Sequence, residues 1–232
     1  MCDKIKEIKA KIEEIKNLCN NSNEYIFSTQ LENLSNREDN DLEEIIKKYK
    51  YIFVGDNPGD EEKDKKEYFV NSSGTNLKNF IKGYLNLNET EYLFLNKTLY
   101  STQSTKYIEK DKGDKTQKEI AELILLLLEY NKNLFVCLLG VEFFYISENG
   151  IFEIFYKCLL QENSYKKYKS RIGLYYHPSR RQLLTKAEQQ IVEKIKCDKI
   201  EFFRKYGTLH FDARWKNDVF EETKKYFQEK NN

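Results

Sequence analysis

Four short apolar runs punctuate a chain otherwise rich in lysine, glutamate and asparagine: Tyr51–Gly55, Tyr92–Asn96, Leu134–Gly140 and Ile172–His177. Their hydrophobicity is continuous rather than alternating, as expected of strands covered on both faces of a parallel sheet. Between them the spacing becomes helical, over Thr75–Leu85, Lys115–Tyr130, Val141–Ser147 and Ile151–Leu160. Alternating strand and helix predicts an α/β fold. The expected form is a three-layer α/β/α arrangement around a central four-stranded parallel sheet, with helices added at both termini. Near the start, Ile5, Ile8, Ile12, Ile15 and Leu18 recur at helical intervals among lysines and glutamates, which predicts an amphipathic helix with one face in solvent. A second helix is expected around Asp41–Tyr49, with Asp41 as its cap. The expected division is a helical extension over 1–48 packed on an α/β domain over 49–232. The tail from Lys186 to Lys230 reads as mostly helical, with an interruption near Gly207–Asp212.

Composition narrows the classes. In 232 residues, 40% hydrophobic and 14% aromatic content suffices for a core and excludes wholesale disorder. Lys+Arg at 39 against Asp+Glu at 38 gives a net charge of +1, which excludes a uniformly basic nucleic-acid binder but permits a local basic stripe. The longest apolar runs, Leu123–Leu128 and Leu134–Leu139, are too short to span a bilayer. The first residues lack the apolar stretch of a signal peptide. The 5 cysteines (Cys2, Cys19, Cys137, Cys158 and Cys197) are odd in number, scattered and never spaced CxxC. That spacing argues against a disulfide framework, a zinc knuckle or an iron–sulfur site. The expectation is a soluble cytoplasmic monomer without metal or organic cofactor.

In an open parallel sheet, ligands collect at the carboxyl ends of the strands. The first run ends in Gly55-Asp56-Asn57-Pro58-Gly59 and the last in His177-Pro178-Ser179-Arg180-Arg181, so both prolines of the chain directly follow expected strands. Proline cannot donate to a ladder and ends each strand abruptly. The second run ends in Asn96-Lys97-Thr98 and leads to a hydroxyl-rich loop with Ser101, Thr102 and Ser104. Between the first two runs lies Tyr68-Phe69-Val70, then Ser72-Ser73-Gly74 opening a helix. Singly, each piece has an ordinary explanation: a tight turn at Gly55–Gly59, a core phenylalanine, a strand-end cap at Asn96, a satisfied loop histidine. Their order is the informative feature.

That ordered set resembles the uracil-DNA glycosylase superfamily. VGDNPG is similar to its first motif, with forms such as GQDPY, GEAPG and GMNPG, and YYHPSRR to its HPS-containing second motif. LFLNKTLYSTQSTKYIEKDKG resembles the asparagine-bearing strand and the loop after it, and KEYFVNSSGTNLKNFI the segment that holds the base-stacking Phe. The resemblance covers roughly residues 50–185. It implies a monofunctional DNA glycosylase of base excision repair that hydrolyses the N-glycosidic bond of uracil, with DNA as partner and no metal. Phe69 would be the stacking platform and Asn96 the base reader, with Gly55, Pro58 and Gly59 shaping the pocket. His177 would stabilise the departing base at O2. Asn57 would orient the attacking water, with Asp56 as the second candidate for that task. Ser101, Thr102, Ser104, Pro178, Ser179, Arg180 and Arg181 would contact DNA, and Lys110, Lys112 and Lys115 could add charge at the mouth or be a solvated face.

Two departures from the family pattern matter. Gly59 stands where uracil-exclusive members carry a Tyr that blocks the thymine methyl, so thymine, hypoxanthine or xanthine in mispairs join the expected substrates. Arg181 falls on the position of the intercalating wedge, as in the single-strand-selective branch, which also carries Asn in its first motif. The rival expectation is a catalytically inactive protein of the same fold that binds or senses nucleic acid. A small-molecule phosphate enzyme is disfavoured because GxGxxG and GxxxxGK[ST] are missing, and acyl transfer by Ser179 because GxSxG is missing.

Overall fold

The computed structural model describes residues 2–103, 108–139, 151–159 and 161–175. Within them β1 (Tyr51–Gly55), β2 (Tyr92–Asn96), β3 (Phe135–Leu139) and β4 (Ile172–Tyr175) form one sheet of order β2-β1-β3-β4. Every pairing is parallel. Ile52, Phe53 and Val54 of β1 and Leu93, Phe94 and Leu95 of β2 are all buried. Covering on both faces is the physical reason these runs read as continuous rather than alternating. With helices around this sheet, the architecture is the three-layer α/β/α fold.

The helices are α1 (Cys2–Asn20), α2 (Thr29–Ser35), α3 (Asp39–Lys48), α4 (Asp60–Lys65), α5 (Ser72–Phe80), α6 (Lys110–Tyr130), α7 (Glu153–Leu159) and α8 (Glu162–Tyr168). A π turn, Ile81–Leu85, continues α5. Helix α5 starts earlier than the predicted Thr75 because the Asn71 side chain accepts from Gly74 N–H at 3.1 Å. Asp41 does not cap α3. Glu38 takes the cap position without a side-chain bond, and Asp41 lies in the first turn, where a carboxylate favours the helix dipole. Three short helices, α2, α4 and α8, were not anticipated. The predicted Val141–Ser147 helix, the ends of the third and fourth runs at Gly140 and His177, and the C-terminal tail lie outside the described residues.

Helix α1 carries its apolar face into the shared core. Ile5, Ile8, Ile12 and Ile15 are at most 1% exposed, packed with α6, and each contributes on the order of 1.5–3 kcal/mol by burial. Lys11 of α1 bonds Glu119 and Glu122 of α6 at 2.6 and 2.7 Å. The chain after α1 then braces the loop after β2. Ile26 N–H donates to Leu99 O at 3.0 Å, Ser101 N–H donates to Glu24 O at 2.8 Å, and Tyr25 opposes Tyr100 in an antiparallel bridge. Elsewhere, Asn131 Nδ2 donates to Ile46 O and Tyr49 O at 2.8 and 2.7 Å, tying the end of α3 to the end of α6. No described helix is long and apolar enough to cross a membrane.

Candidate active site

Register brings the first two motif strands together. Gly55, the last residue of β1, pairs with Asn96, the last of β2, so both loops leave the sheet side by side. A Cβ on Gly55 would collide with Asn96 Oδ1 and come within 2.8 Å of Phe69 Cζ. Only glycine lets the Asn96 carboxamide and the Phe69 ring crowd the end of β1 in this way. Asn96 is 2% exposed, and its Nδ2 is buried with no hydrogen-bond partner among the described residues. An orphaned buried donor costs about 1–3 kcal/mol, and such groups concentrate where a ligand completes them.

Phe69 is held against its own backbone preference. Its φ of 58° is the left-handed region, rarely occupied by a bulky residue. Its N–H donates to the Glu62 carboxylate, and its carbonyl lies where a Cβ on Gly74 would stand, so Gly74 is required for this chain path. The ring lies 4.8 Å from Phe94, tilted by 46°. The other oxygen of Glu62 accepts from Gly59 N–H at 2.7 Å. One buried carboxylate therefore links the first-motif loop to the aromatic platform. Burial pushes the Glu62 carboxyl above its ordinary range, with the two N–H donors opposing that shift. Glu62 was not anticipated from the sequence, although Gly59-x-x-Glu62 before a helix is the spacing of a capping box.

Asn57 is half-buried, and its Nδ2 donates to Pro58 O at 3.1 Å and Thr102 O at 3.0 Å. Thr102 N–H returns a bond to Pro58 O at 3.0 Å, and Ser101 Oγ meets Gly59 O at 3.5 Å. The hydroxyl loop after β2 is thus laced to the Asn-Pro-Gly loop after β1. Asp56 faces elsewhere. It is 5% exposed, and its carboxylate is ion-paired with Lys97, whose side chain is fully buried. Burial is the largest single influence and would drive the Lys97 ammonium towards neutrality, but Asp56 and Tyr156 together outweigh it and hold the proton above the usual lysine value.

The structure therefore brings together Gly55, Asn57, Pro58, Gly59, Phe69, Asn96, Ser101 and Thr102, and turns the Asp56 carboxylate onto Lys97. Ser104, His177, Pro178, Ser179, Arg180 and Arg181 lie outside the described residues. β4, which precedes His177, runs parallel to β3 with Tyr175 paired to Leu139. Of the lysines considered for the mouth, Lys112 is paired with Glu24 and Glu109 at 2.8 and 3.2 Å. Among the described residues no cluster of three or more His, Cys, Asp or Glu could hold a metal ion. Cys19 and Cys137 are buried and not disulfide-bonded, and burial pushes the Cys19 thiol up to about 12.

The family model described as the uracil DNA glycosylase superfamily matches residues 44–198, a span that runs from α3 through all four strands. No curated protein matches the chain.

Proposed function

The chain belongs to the uracil DNA glycosylase superfamily, and from that premise we propose that it hydrolyses the N-glycosidic bond of uracil in DNA. The observation that carries this reading is the orphaned Asn96 Nδ2 beside Gly55 and Phe69. A nucleotide must leave the stack before its glycosidic carbon can be attacked. The extruded base stacks on Phe69, a contact worth on the order of 1–3 kcal/mol. Asn96 Nδ2–H donates to uracil O4, and Oδ1 accepts from N3–H. Cytosine presents the inverse pattern and leaves buried groups unpaired, so it is rejected.

In the chemical step the C1′–N1 bond breaks and its electron pair leaves with the base, whose negative charge spreads to O2. A neutral His177 donating to O2 supports that charge. The sugar cation takes a water, and Asn57 orients it. With Nδ2 bonded to two carbonyls, the plane of the Asn57 carboxamide is fixed. An amide orients without removing the proton, which a transition state with substantial cation character tolerates at a slower rate; the added water gives up its proton after the C–O bond forms, to solvent, and the uracil anion is protonated in turn. Gly59 carries no ring against a thymine methyl, so the reading extends to thymine, hypoxanthine or xanthine in mispairs.

One observation favours a second reading, a glycosylase fold that binds damaged DNA without turnover: the only carboxylate of the first-motif loop is held by Lys97. The test is alkali cleavage of end-labelled DNA bearing one uracil, single-stranded or opposite G or A, after incubation with the protein in EDTA. Cleavage lost in Asn57→Ala and His177→Ala supports the enzyme. Binding without cleavage supports the second reading.

A further inference from the structure

Lys97 is a fully buried charged group, and glycosylase chemistry as proposed above gives it no task. Its side chain is wholly buried. Its Nζ donates to Asp56 Oδ1 and to Leu139 O, and lies 5.0 Å from the ring centroid of Phe152 and 5.7 Å from that of Tyr156. One ammonium group thus joins the carboxyl ends of β1, β2 and β3 and is covered by aromatic rings at and just before α7. An ammonium that is buried, bonded and held protonated can neither grip phosphate nor act as an amine nucleophile.

The position of the pair is informative. Side chains alternate along a strand, so residues following each other at a strand end point to opposite faces. Gly55 and Asn96 face Phe69 on one side. Asp56 and Lys97, the next residue on each strand, meet on the other. The backbone ladder continues between them, with Lys97 N–H donating to Gly55 O at 2.9 Å and Thr98 N–H to Asp56 O at 3.4 Å. Asp56 immediately precedes Asn57, and Lys97 immediately follows Asn96. Buried ion pairs add little net stability, because desolvation offsets their attraction, but they fix geometry in a directional way that apolar packing does not.

We infer that Lys97 is a positioning residue for base release: through Asp56 and Leu139 it sets the spacing between the base reader Asn96 and the water-orienting Asn57. The inference rests on the glycosylase reading and assigns Asp56 to holding this geometry rather than to activating water. A misplacement of about 1 Å at such a centre is enough to cost roughly 100-fold in rate.

The test uses the full chain and single-stranded DNA bearing one uracil, with single-turnover rate, DNA Kd and thermal melting measured on each variant. Lys97→Met alone strands a buried carboxylate and is expected to unfold readily, so the informative variant is Asp56→Asn combined with Lys97→Met, which removes both charges and keeps the bulk. It is expected to melt cooperatively near the wild-type temperature, bind DNA with an unchanged Kd, and release uracil about 10- to 100-fold more slowly. Lys97→Arg, which keeps the pair, is expected to retain more of the rate than the double variant. A folded double variant with the wild-type rate overturns the inference, as does a loss residing wholly in Kd or an arginine variant no faster than the double one. A wild-type chain that releases no uracil overturns the glycosylase reading itself, and the inference with it.

Discussion

Replacing Asn96 by leucine, close to it in shape and without its polar atoms, should separate stability from activity in opposite directions. In the free protein Asn96 is 2% exposed and its Nδ2 has no partner among the described residues, a situation that costs about 1–3 kcal/mol. Leucine removes that cost and keeps contact with Gly55 and Phe69. For a chain of this size each kcal/mol moves Tm by about 2–4 °C, so Asn96→Leu should melt several degrees higher. Uracil release should fall by about 10⁴-fold, the scale on which a site built for hydrogen bonds discriminates when those bonds cannot form. Calorimetry on the free protein and single-turnover release on uracil DNA supply the two numbers. A fall in Tm, with activity lost only in proportion to unfolding, would make Asn96 a structural strand-end cap and refute the reasoning.

Other positions carry further expectations. Gly55→Ala drives a methyl into Asn96 Oδ1 and close to Phe69; it should lower Tm and slow base release together, and a variant of wild-type rate would show that the slot is not used. Glu62→Gln puts an amide group opposite one of the two N–H donors now bound and should destabilise by about 1–3 kcal/mol in urea titrations. The same variant has a pH signature. Burial holds the folded Glu62 carboxyl above its ordinary 4.5, so its favourable contribution is present below that value and fades as pH rises through the raised folded value. Wild-type stability relative to Glu62→Gln should therefore decline from pH 4.5 upward, and a ratio independent of pH would contradict the assignment. Gly59 has an ordinary φ of −91°, and a Cβ there meets only Glu62 Oε2 at 3.8 Å. Gly59→Tyr should accordingly fold and narrow release to uracil. Equal rates on uracil and on thymine in a G·T duplex would contradict it.

The strands were legible because each is a continuous apolar run followed by polar or turn-forming residues; β1 and β2 lie where those runs predict. Helix α4, Asp60–Lys65, was illegible because it is polar throughout, and its one buried residue, Glu62, is buried by hydrogen bonds rather than by hydrophobicity. Helix α6 begins at Lys110 rather than Lys115 because its polar first turns carry no apolar period. In the site, Gly55, Phe69 and Asn96 could be named from motif order; parallel register sets Gly55 beside Asn96, and Glu62 and Gly74 bring Phe69 to them. Lys97 could not. Its partners Asp56 and Leu139 stand 41 and 42 positions away, and a lysine beside a strand end gives no local sign of being buried. The Asp56 carboxylate, read as free to meet a water, is turned to Lys97 for the same reason.

The most direct measurement is mass-spectrometric identification of the base released in single turnover, in EDTA, from DNA carrying uracil or cytosine at one position, single-stranded and opposite G. The account predicts free uracil and an abasic strand, no detectable cytosine, and loss of the signal in Asn96→Leu. Tight binding of uracil DNA with no base released, or release of both bases at similar rates, would contradict it.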